Sequence, residues 1–280
     1  MRRIRIGKVL TIGFLLSLAG IYLSPFYWMV ATALRPIADF YRFPPSLVPE
    51  RVTFEAFTSV LIRRGFVMLL WNSLLVSLGA VSLSLLISML IVYPLTRMPV
   101  SLRVRQGLLN WILSLRFLPP IVVVIPWFSI VRTMGLYDHV LSLVLLYTVF
   151  SLPFGTWMLR SFLLEIPKEI EEAAWVDGAS RIRAFFSVVF PLLAPALLAG
   201  GVITFALMWS EFMFAFILTA TPRSQTFPIG VASLVTQFQI IWNEMAAAGT
   251  LAALVPITLL LLARRYVLVA LTFGAVREKS

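Results

Sequence analysis

The fold of this chain is decided by residues 166–191, IPKEIEEAAWVDGASRIRAFFSVVFP, a charged segment within an otherwise apolar sequence. Apolar residues make up 60% of the 280 positions, and charged residues only 12%. A soluble protein carries about 25% charged residues, so this composition predicts a membrane protein. A charged segment of this length in such a chain predicts a loop outside the bilayer that another molecule grips.

Helix signals divide this segment into two short helices. Pro167 suits a first helical turn, and the glutamates that follow it are favourable near the positive end of the helix dipole. Gly178 ends the first helix, because glycine tolerates the left-handed conformation of a sharp reversal. Residues 179–189 predict a second, amphipathic helix. Two short helices at an angle form a rigid protrusion, here called the knob (residues 167–189), which can transmit a push instead of absorbing it.

Apolar runs predict six membrane-spanning helices, since about 20 such residues cross a bilayer core. The predicted spans are Val9–Leu34, Val67–Tyr93, Leu108–Val131, Val140–Leu159, Leu192–Ala220 and Ala246–Ala263. Pro94 and Arg97 are predicted to stop the second span, and Pro119, Pro120 and Pro126 to kink the third. Such kinks serve either as hinges or as static packing features, and the sequence does not choose between them.

Lysine and arginine are distributed unequally between the two sets of loops that these spans create. Segments 1–8, 94–107, 160–191 and 264–280 hold fifteen of them, the opposite loops hold seven, and Arg116 lies within a span. Cytoplasmic loops are enriched in these residues, so both termini and the knob are predicted to be cytoplasmic. The net charge of +11 has the same explanation: it reflects basic cytoplasmic loops that contact anionic lipid, and it does not indicate nucleic-acid binding.

The knob resembles the EAA loop of ABC-importer permease subunits. That pattern is Glu-Ala-Ala, three residues, Gly, nine residues, a branched apolar residue, one further residue and Leu-Pro. The matching positions are Glu172, Ala173, Ala174, Gly178, Val188 and Pro191. Val188 stands where Ile is usual and Phe190 where Leu is usual. Without this spacing a solvated loop would be the simpler interpretation; the twenty-residue match favours a docking knob.

The resemblance extends to the maltose-type carbohydrate permeases of type-1 ABC importers. The similar motifs are WNSL (71–74), LP (118–119), IP (125–126), MGLYD (134–138), SLPF (151–154), EIP (165–167) and LTFGAV (271–276). This resemblance implies an all-α membrane protein of the type-1 ABC permease fold, with six transmembrane helices and a cytoplasmic EAA coupling loop. It also implies an N-terminal helix with an outer loop (1–71), a permease domain (72–265) and a cytoplasmic tail (266–280).

The same resemblance implies contacts with a separate ATPase. The knob would sit in a cleft of that ATPase, with Glu172 pairing with a basic residue there and Gly178 making the turn. The implied coupling surface is Glu172, Ala173, Ala174, Asp177, Gly178 and Arg181. The tail residues Gly274, Ala275 and Val276 would reach between the two ATPase subunits.

Residues 205–212, FALMWSEF, resemble the Trp-Asn-Asp/Glu-Phe element of sugar permeases, with Ser210 where Asn is usual. A carboxylate at membrane depth costs about 3 kcal/mol, so Glu211 should face a cavity or a partner. Phe205, Trp209, Ser210 and Glu211 are therefore predicted to line the solute pathway. Trp209 would stack on a sugar ring while Glu211 accepts hydroxyl hydrogen bonds. Alternatively, Glu211 pairs with a cation on a neighbouring subunit.

Residue types exclude several classes of site. The chain has no cysteine and a single histidine, His139, so neither a metal site nor a catalytic triad is predicted. No G-x-x-x-x-G-K-[ST] phosphate loop occurs. No catalytic residue and no cofactor is therefore predicted on this chain, and ATP with Mg would be bound by a partner. Arg116 is predicted to snorkel in a structural role.

These features predict a permease subunit, not an enzyme, that moves a sugar or related polyol through a prokaryotic cytoplasmic (inner) membrane by alternating access. The implied partners are a second, different permease, a cytoplasmic ATPase dimer and an extracytoplasmic solute-binding protein. Two alternatives stay open: an ABC permease for a polyamine, phosphate or peptide, and an ion-coupled secondary carrier. The loop 221–245, which carries aromatic and amide side chains, either docks a soluble partner or only links two helices.

Overall fold

The computed structural model describes residues 2–41, 46–236 and 241–275, and its regular structure is almost entirely helical. The α-helices are α1 (Arg2–Ala33), α2 (Glu55–Thr58), α3 (Phe66–Arg97), α4 (Leu102–Ser114), α5 (Pro120–Thr133), α6 (Val140–Glu165), α7 (Lys168–Val176), α8 (Arg181–Ala184), α9 (Phe190–Trp209), α10 (Met213–Leu218), α11 (Phe227–Ser233) and α12 (Trp242–Ala275). Tight 3₁₀ turns at Ile37–Tyr41 and Leu115–Phe117 and wide π turns at Ser59–Arg63 and Phe185–Val189 complete the helical structure. The predicted all-α class is confirmed.

Five helical segments are long and apolar enough to cross a membrane. They are α1, α3, α6, the continuous helix formed by α8 and α9, and α12. A sixth span results if the bent pair α4 and α5 is counted as one. The predicted six spans are therefore confirmed in number and order, whereas several of their predicted ends are wrong.

The predicted end of the second span is wrong, because α3 continues through Pro94 to Arg97. Proline removes only its own N–H and crowds one carbonyl, and a packed membrane helix tolerates that loss. The fourth and sixth spans also run beyond their predicted ends, to Glu165 and Val267, and helix α12 itself continues to Ala275. Among the residues added to α3, Arg97 contacts the knob.

The third predicted span is two helices and not one. Residues Leu102–Phe117 and Pro120–Thr133 meet at an angle of 97°. Pro119 has an extended backbone and Pro120 begins α5, and neither residue has an N–H with which to continue α4. The predicted kink is thus a complete break.

The fifth predicted span, Leu192–Ala220, is displaced, and residues 179–189 do not form a separate helix. A single helix runs from Arg181 to Trp209. The π turn Phe185–Val189 widens the helix just before Pro191, which lies in the first turn of α9, so the helix passes the proline without breaking. The knob's second helix is consequently the start of a membrane span.

The chain divides into two compact units, residues 1–67 with 230–254 and residues 68–229 with 255–280. Within the first unit, the carboxylate of Glu244 accepts a hydrogen bond from Ser59 Oγ at 2.7 Å and pairs with Arg64. Gln237 and Gln239 of the predicted docking loop lie outside the described residues. The three-part division predicted from the sequence stays a prediction.

Within the second unit, α3 and α6 pack closely through small residues. A Cβ atom added to Gly155 of α6 would lie 2.7 Å from Ser88 Oγ of α3, so only glycine fits there. Thr156 Oγ1 donates to the same Ser88 hydroxyl at 3.3 Å. Small and hydroxyl residues are typical of helix contacts in membranes, where backbones must approach closely to gain packing energy.

Asp138 joins two connections at the amino-terminal end of α6. Its carboxylate accepts hydrogen bonds from the N–H groups of Ala220 and Thr221 at 2.7 and 2.9 Å and from the hydroxyls of Thr221 and Ser224. Partial burial opposes ionisation, but these bonds outweigh it and lower the pKa of Asp138 from 3.8 to about 2. The carboxylate is therefore charged at every physiological pH.

We expect Asp138→Asn to lower thermal stability by a similar amount at every pH between about 5 and 8. Because the folded-state pKa is the lower one, the contribution of ionised Asp138 is present above pH 3.8 and is lost only as pH falls through about 2. Thermal unfolding of wild type and variant in detergent at several pH values checks this. A gap between the two proteins that closes from pH 8 to pH 5 would contradict it.

Candidate functional site

The first helix of the knob has well-defined ends. Pro167 precedes α7 with an extended backbone, and Gly178 follows it with φ of +86°. The N–H of Gly178 donates to the carbonyl of Trp175 at 3.0 Å, and the N–H of Ala179 donates to that of Ala174 at 2.9 Å. This pair of bonds is a Schellman motif, which satisfies the last carbonyls of the helix. The predicted glycine reversal is confirmed.

The second helix begins at a side-chain cap. Ser180 Oγ accepts a hydrogen bond from the N–H of Arg183 at 3.3 Å, which is the usual capping geometry. The guanidinium of Arg181 lies over the ring of Trp175, 5.2 Å from its centre, and so links the two helices. The reversal is therefore braced by backbone and side-chain contacts, as a rigid protrusion requires.

The exposed face of the knob is a mixed apolar and charged surface. Val176 is 87% exposed and Ile182 73% exposed. Glu172, Ala173, Asp177, Gly178, Ser180, Arg181 and Arg183 are also exposed, while Ala174 is half-buried. Of the predicted coupling residues, the structure thus brings all except Ala174 to one exposed protrusion. Their role in ATPase coupling stays a prediction.

A buried ion pair, absent from the sequence prediction, lies beneath this exposed face. Arg97, the last residue of α3, donates from Nε to Glu171 Oε1 at 2.5 Å, and the two side chains are only 6% and 1% exposed. Tyr93 OH donates to the other carboxylate oxygen of Glu171 at 3.1 Å. Glu171 neighbours Glu172 in sequence, but successive residues of a helix are rotated by about 100°, so Glu171 is buried while Glu172 is exposed.

Arg97 also contacts the end of α6. Its Nη2 atom donates to the carbonyls of Leu163 and Ile166 at 3.0 and 2.7 Å. Both carbonyls belong to a helix end that lacks intrahelical donors. We call Tyr93, Arg97 and Glu171 the clamp, since their bonds connect α3, α6 and α7.

Glu211, predicted to lie within the fifth span, is instead in the break between α9 and α10. Its carboxylate accepts hydrogen bonds from the N–H groups of Phe214, at 3.0 and 3.2 Å, and Ala215, at 3.4 Å. Tyr147 OH of α6 donates to it at 2.5 Å. The side chain therefore caps α10 and anchors it to α6, which the prediction missed because it assumed an unbroken helix.

The other predicted pathway residues have different environments. Phe205 and Trp209 are 2% and 4% exposed and stack with ring centres 5.6 Å apart, so in this conformation neither ring is accessible to a solute. Ser210 is exposed, and its hydroxyl donates to the carbonyl of Ala206 at 2.8 Å. The assignment of these residues to a solute pathway stays a prediction.

Two further predictions concern the tail and Arg116. Gly274 and Ala275 end α12, whereas Val276 lies outside the described residues. Arg116 is exposed beside the break between α4 and α5.

Within residues 2–41, 46–236 and 241–275, no group of three or more histidine, aspartate and glutamate side chains could hold a metal ion.

Sequence comparison matches most of this chain to a known family. A family model described as "Binding-protein-dependent transport system inner membrane component" matches residues 95–271. The diacetylchitobiose uptake system permease protein DasC of Streptomyces coelicolor is 34% identical over 253 residues, or 90% of this chain and 91% of the relative. The trehalose/maltose transport system permease protein MalG of Thermococcus litoralis is 30% identical over 280 residues, 99% of each chain.

Solved structures share the fold. A chain of a bacterial ABC transporter involved in the import of the acidic polysaccharide alginate matches with a TM-score of 0.77 at 19% identity, covering 95% of this chain and 98% of the other. A chain of the MetNI methionine ABC transporter, in an inward-facing conformation, gives a TM-score of 0.56 at 17% identity, covering 75% and 96%. The predicted type-1 permease fold is confirmed.

We expect Gly178→Val to loosen the knob far more than Gly178→Asn. No atom lies within 4 Å of a Cβ at this position, so the substitutions differ through backbone strain and not through collisions. Asn adopts the left-handed conformation readily, whereas a β-branched residue there costs about 1–2 kcal/mol. Amide hydrogen exchange of residues 168–184 checks this, and equal exchange in the two variants would contradict it.

We expect Glu211→Ala to destabilise the protein more than Glu211→Gln. The glutamine amide oxygen can still accept the N–H of Phe214, whereas alanine removes a helix cap that contributes about 1 kcal/mol. Thermal unfolding in detergent measures the difference. Equal losses for the two variants would show that the cap geometry is not what Glu211 contributes.

Proposed function

Because this chain belongs to the family of binding-protein-dependent transport system inner membrane components, we propose that it moves a sugar across the cytoplasmic membrane as one permease subunit of an ATP-driven importer. The exposed, internally braced face of the knob is the observation that carries this proposal. A face of this kind suits docking of a separate motor, since its exposed apolar side chains Val176 and Ile182 are available for a partner to cover.

The motor proposed is a cytoplasmic ATPase dimer, which would bind ATP and Mg. The charges on the exposed face, Glu172 and Asp177 with Arg181 and Arg183, allow pairing with groups of either sign on that partner. Glu172 would meet a basic side chain there. On ATP binding the ATPase would close and displace the knob, and the spans connected to it would change from inward-open to outward-open.

The sugar class is supported by the relatives that match along almost the whole chain. Their printed names specify diacetylchitobiose uptake and trehalose/maltose transport.

A second, different permease and an extracytoplasmic solute-binding protein would complete the importer. The excess of lysine and arginine in the segments on the knob side supports an orientation with both termini in the cytoplasm.

We expect Glu172→Lys to abolish ATP-driven uptake and to release the ATPase, because a lysine would repel the basic group on the partner. Co-purification from membranes and uptake into vesicles with enclosed ATP measure the two effects. Glu165→Lys is the matched control: it makes the same charge change at an exposed residue before Pro167. Full uptake and full retention of the ATPase by Glu172→Lys would show that the knob is not the docking element.

The cargo is tested separately with the co-purified solute-binding protein. We expect it to bind a di- or oligosaccharide and to bind no polyamine, phosphate or peptide. Binding of one of those other solutes would refute the sugar assignment and leave the importer assignment intact. Uptake that persists without ATP and collapses with the ion gradient would refute the importer assignment itself.

A further inference from the structure

The clamp is the one strongly buried set of charged contacts that reaches the knob in the described part of the second unit. We propose that Arg97 is a positioning residue that holds the knob on α3 and α6, so that movement of the knob is transmitted to the spans. This inference rests on the proposed function, because it supposes that a motor moves the knob. It assigns a role in transport to a residue whose side chain is buried beneath the exposed face of the knob.

Arg97 is suited to this role by its geometry. Its guanidinium makes three hydrogen bonds to two elements: one to Glu171 of α7 and two to carbonyls at the end of α6. The planar, multi-donor guanidinium can satisfy such divergent acceptors, whereas the point charge of a lysine cannot span them equally well. Removing Arg97 would therefore break the ion pair with α7 and leave the two carbonyls at the end of α6 without this donor, so that Tyr93 alone of the clamp would still hold Glu171.

Tyr93 extends the clamp to the second knob helix. Its hydroxyl donates to Glu171, and its ring lies edge-on against Phe185, with centres 4.6 Å apart and planes at 62°. Tyr93 and Arg97 are one turn apart on α3 and so lie on the same face. One face of a single span thus holds both helices of the knob.

The placement of the clamp suggests how a push would travel. Glu171 is fixed inward by the clamp, and the adjacent Glu172 is exposed on the docking face. A displacement applied to the exposed face would therefore reach α3 and α6 through direct hydrogen bonds, a contiguous physical connection of the kind that carries coupling between sites. With the clamp opened, α7 would move under the motor without carrying α3 and α6 with it.

The test uses the complete importer reconstituted in vesicles, with wild type, Arg97→Met and Arg97→Lys compared. For Arg97→Met we expect the ATPase to stay bound, uptake per ATP hydrolysed to fall at least tenfold, and amide exchange of residues 168–176 to rise at least tenfold. Arg97→Lys should recover part of the uptake, because it retains the charge opposite Glu171. Arg103→Met, an exposed arginine of α4, is the control and should match wild type.

Two results would overturn the proposal. One is an unchanged ratio of uptake to ATP hydrolysis in Arg97→Met. The other is faster exchange spread evenly over α3, α6 and α7, since that would make Arg97 a support of the whole fold and not of the knob. Failure of the proposed function is distinguishable, because wild type itself would then show no ATP-driven uptake, while amide exchange would still report on the clamp.

Discussion

The buried ion pair between Arg97 and Glu171 holds the knob against α3. Two charges removed from water are tolerated only where their geometry and additional hydrogen bonds offset the desolvation cost, and here Tyr93 and two carbonyls of α6 supply those bonds. Removing one member of such a pair costs about 3–5 kcal/mol. Because the buried charges need all of these partners at once, the knob has few alternative positions. The contacts that stabilise the knob therefore also fix its orientation relative to α3 and α6.

The same constraint, that polar groups away from water need partners, accounts for the breaks in the spans. Glu211 interrupts the fifth span but accepts the backbone donors that the break exposes, and Tyr147 donates to it. Membrane proteins tolerate irregular backbone where it is buried in protein or lines a cavity. The break at Pro119 leaves Arg116 exposed, so a partner or an aqueous space is expected beside it.

Much of the fold and part of the site could be predicted from the sequence. Apolar runs gave six spans because span length is set by bilayer thickness, and the Gly178 reversal followed from the conformational freedom of glycine. The clamp could not be predicted, since Arg97 and Glu171 are 74 residues apart in the sequence. In addition, Glu169, Glu171 and Glu172 lie within about one helical turn, and the sequence does not show which of them would pair with an arginine. Likewise, the displaced fifth span reflects a π turn before Pro191, for which apolar periodicity carries no signal.

Whether the knob and α6 move as one body can be measured by pulsed EPR distances. Because the chain contains no cysteine, spin labels can be placed specifically at Lys168→Cys in α7 and Val149→Cys in α6, both exposed positions. In the complete importer, we expect one narrow distance distribution that is the same in the resting and ATP-trapped states. A distribution that shifts or broadens on ATP trapping would show that α7 moves independently of α6 and would contradict transmission through the clamp.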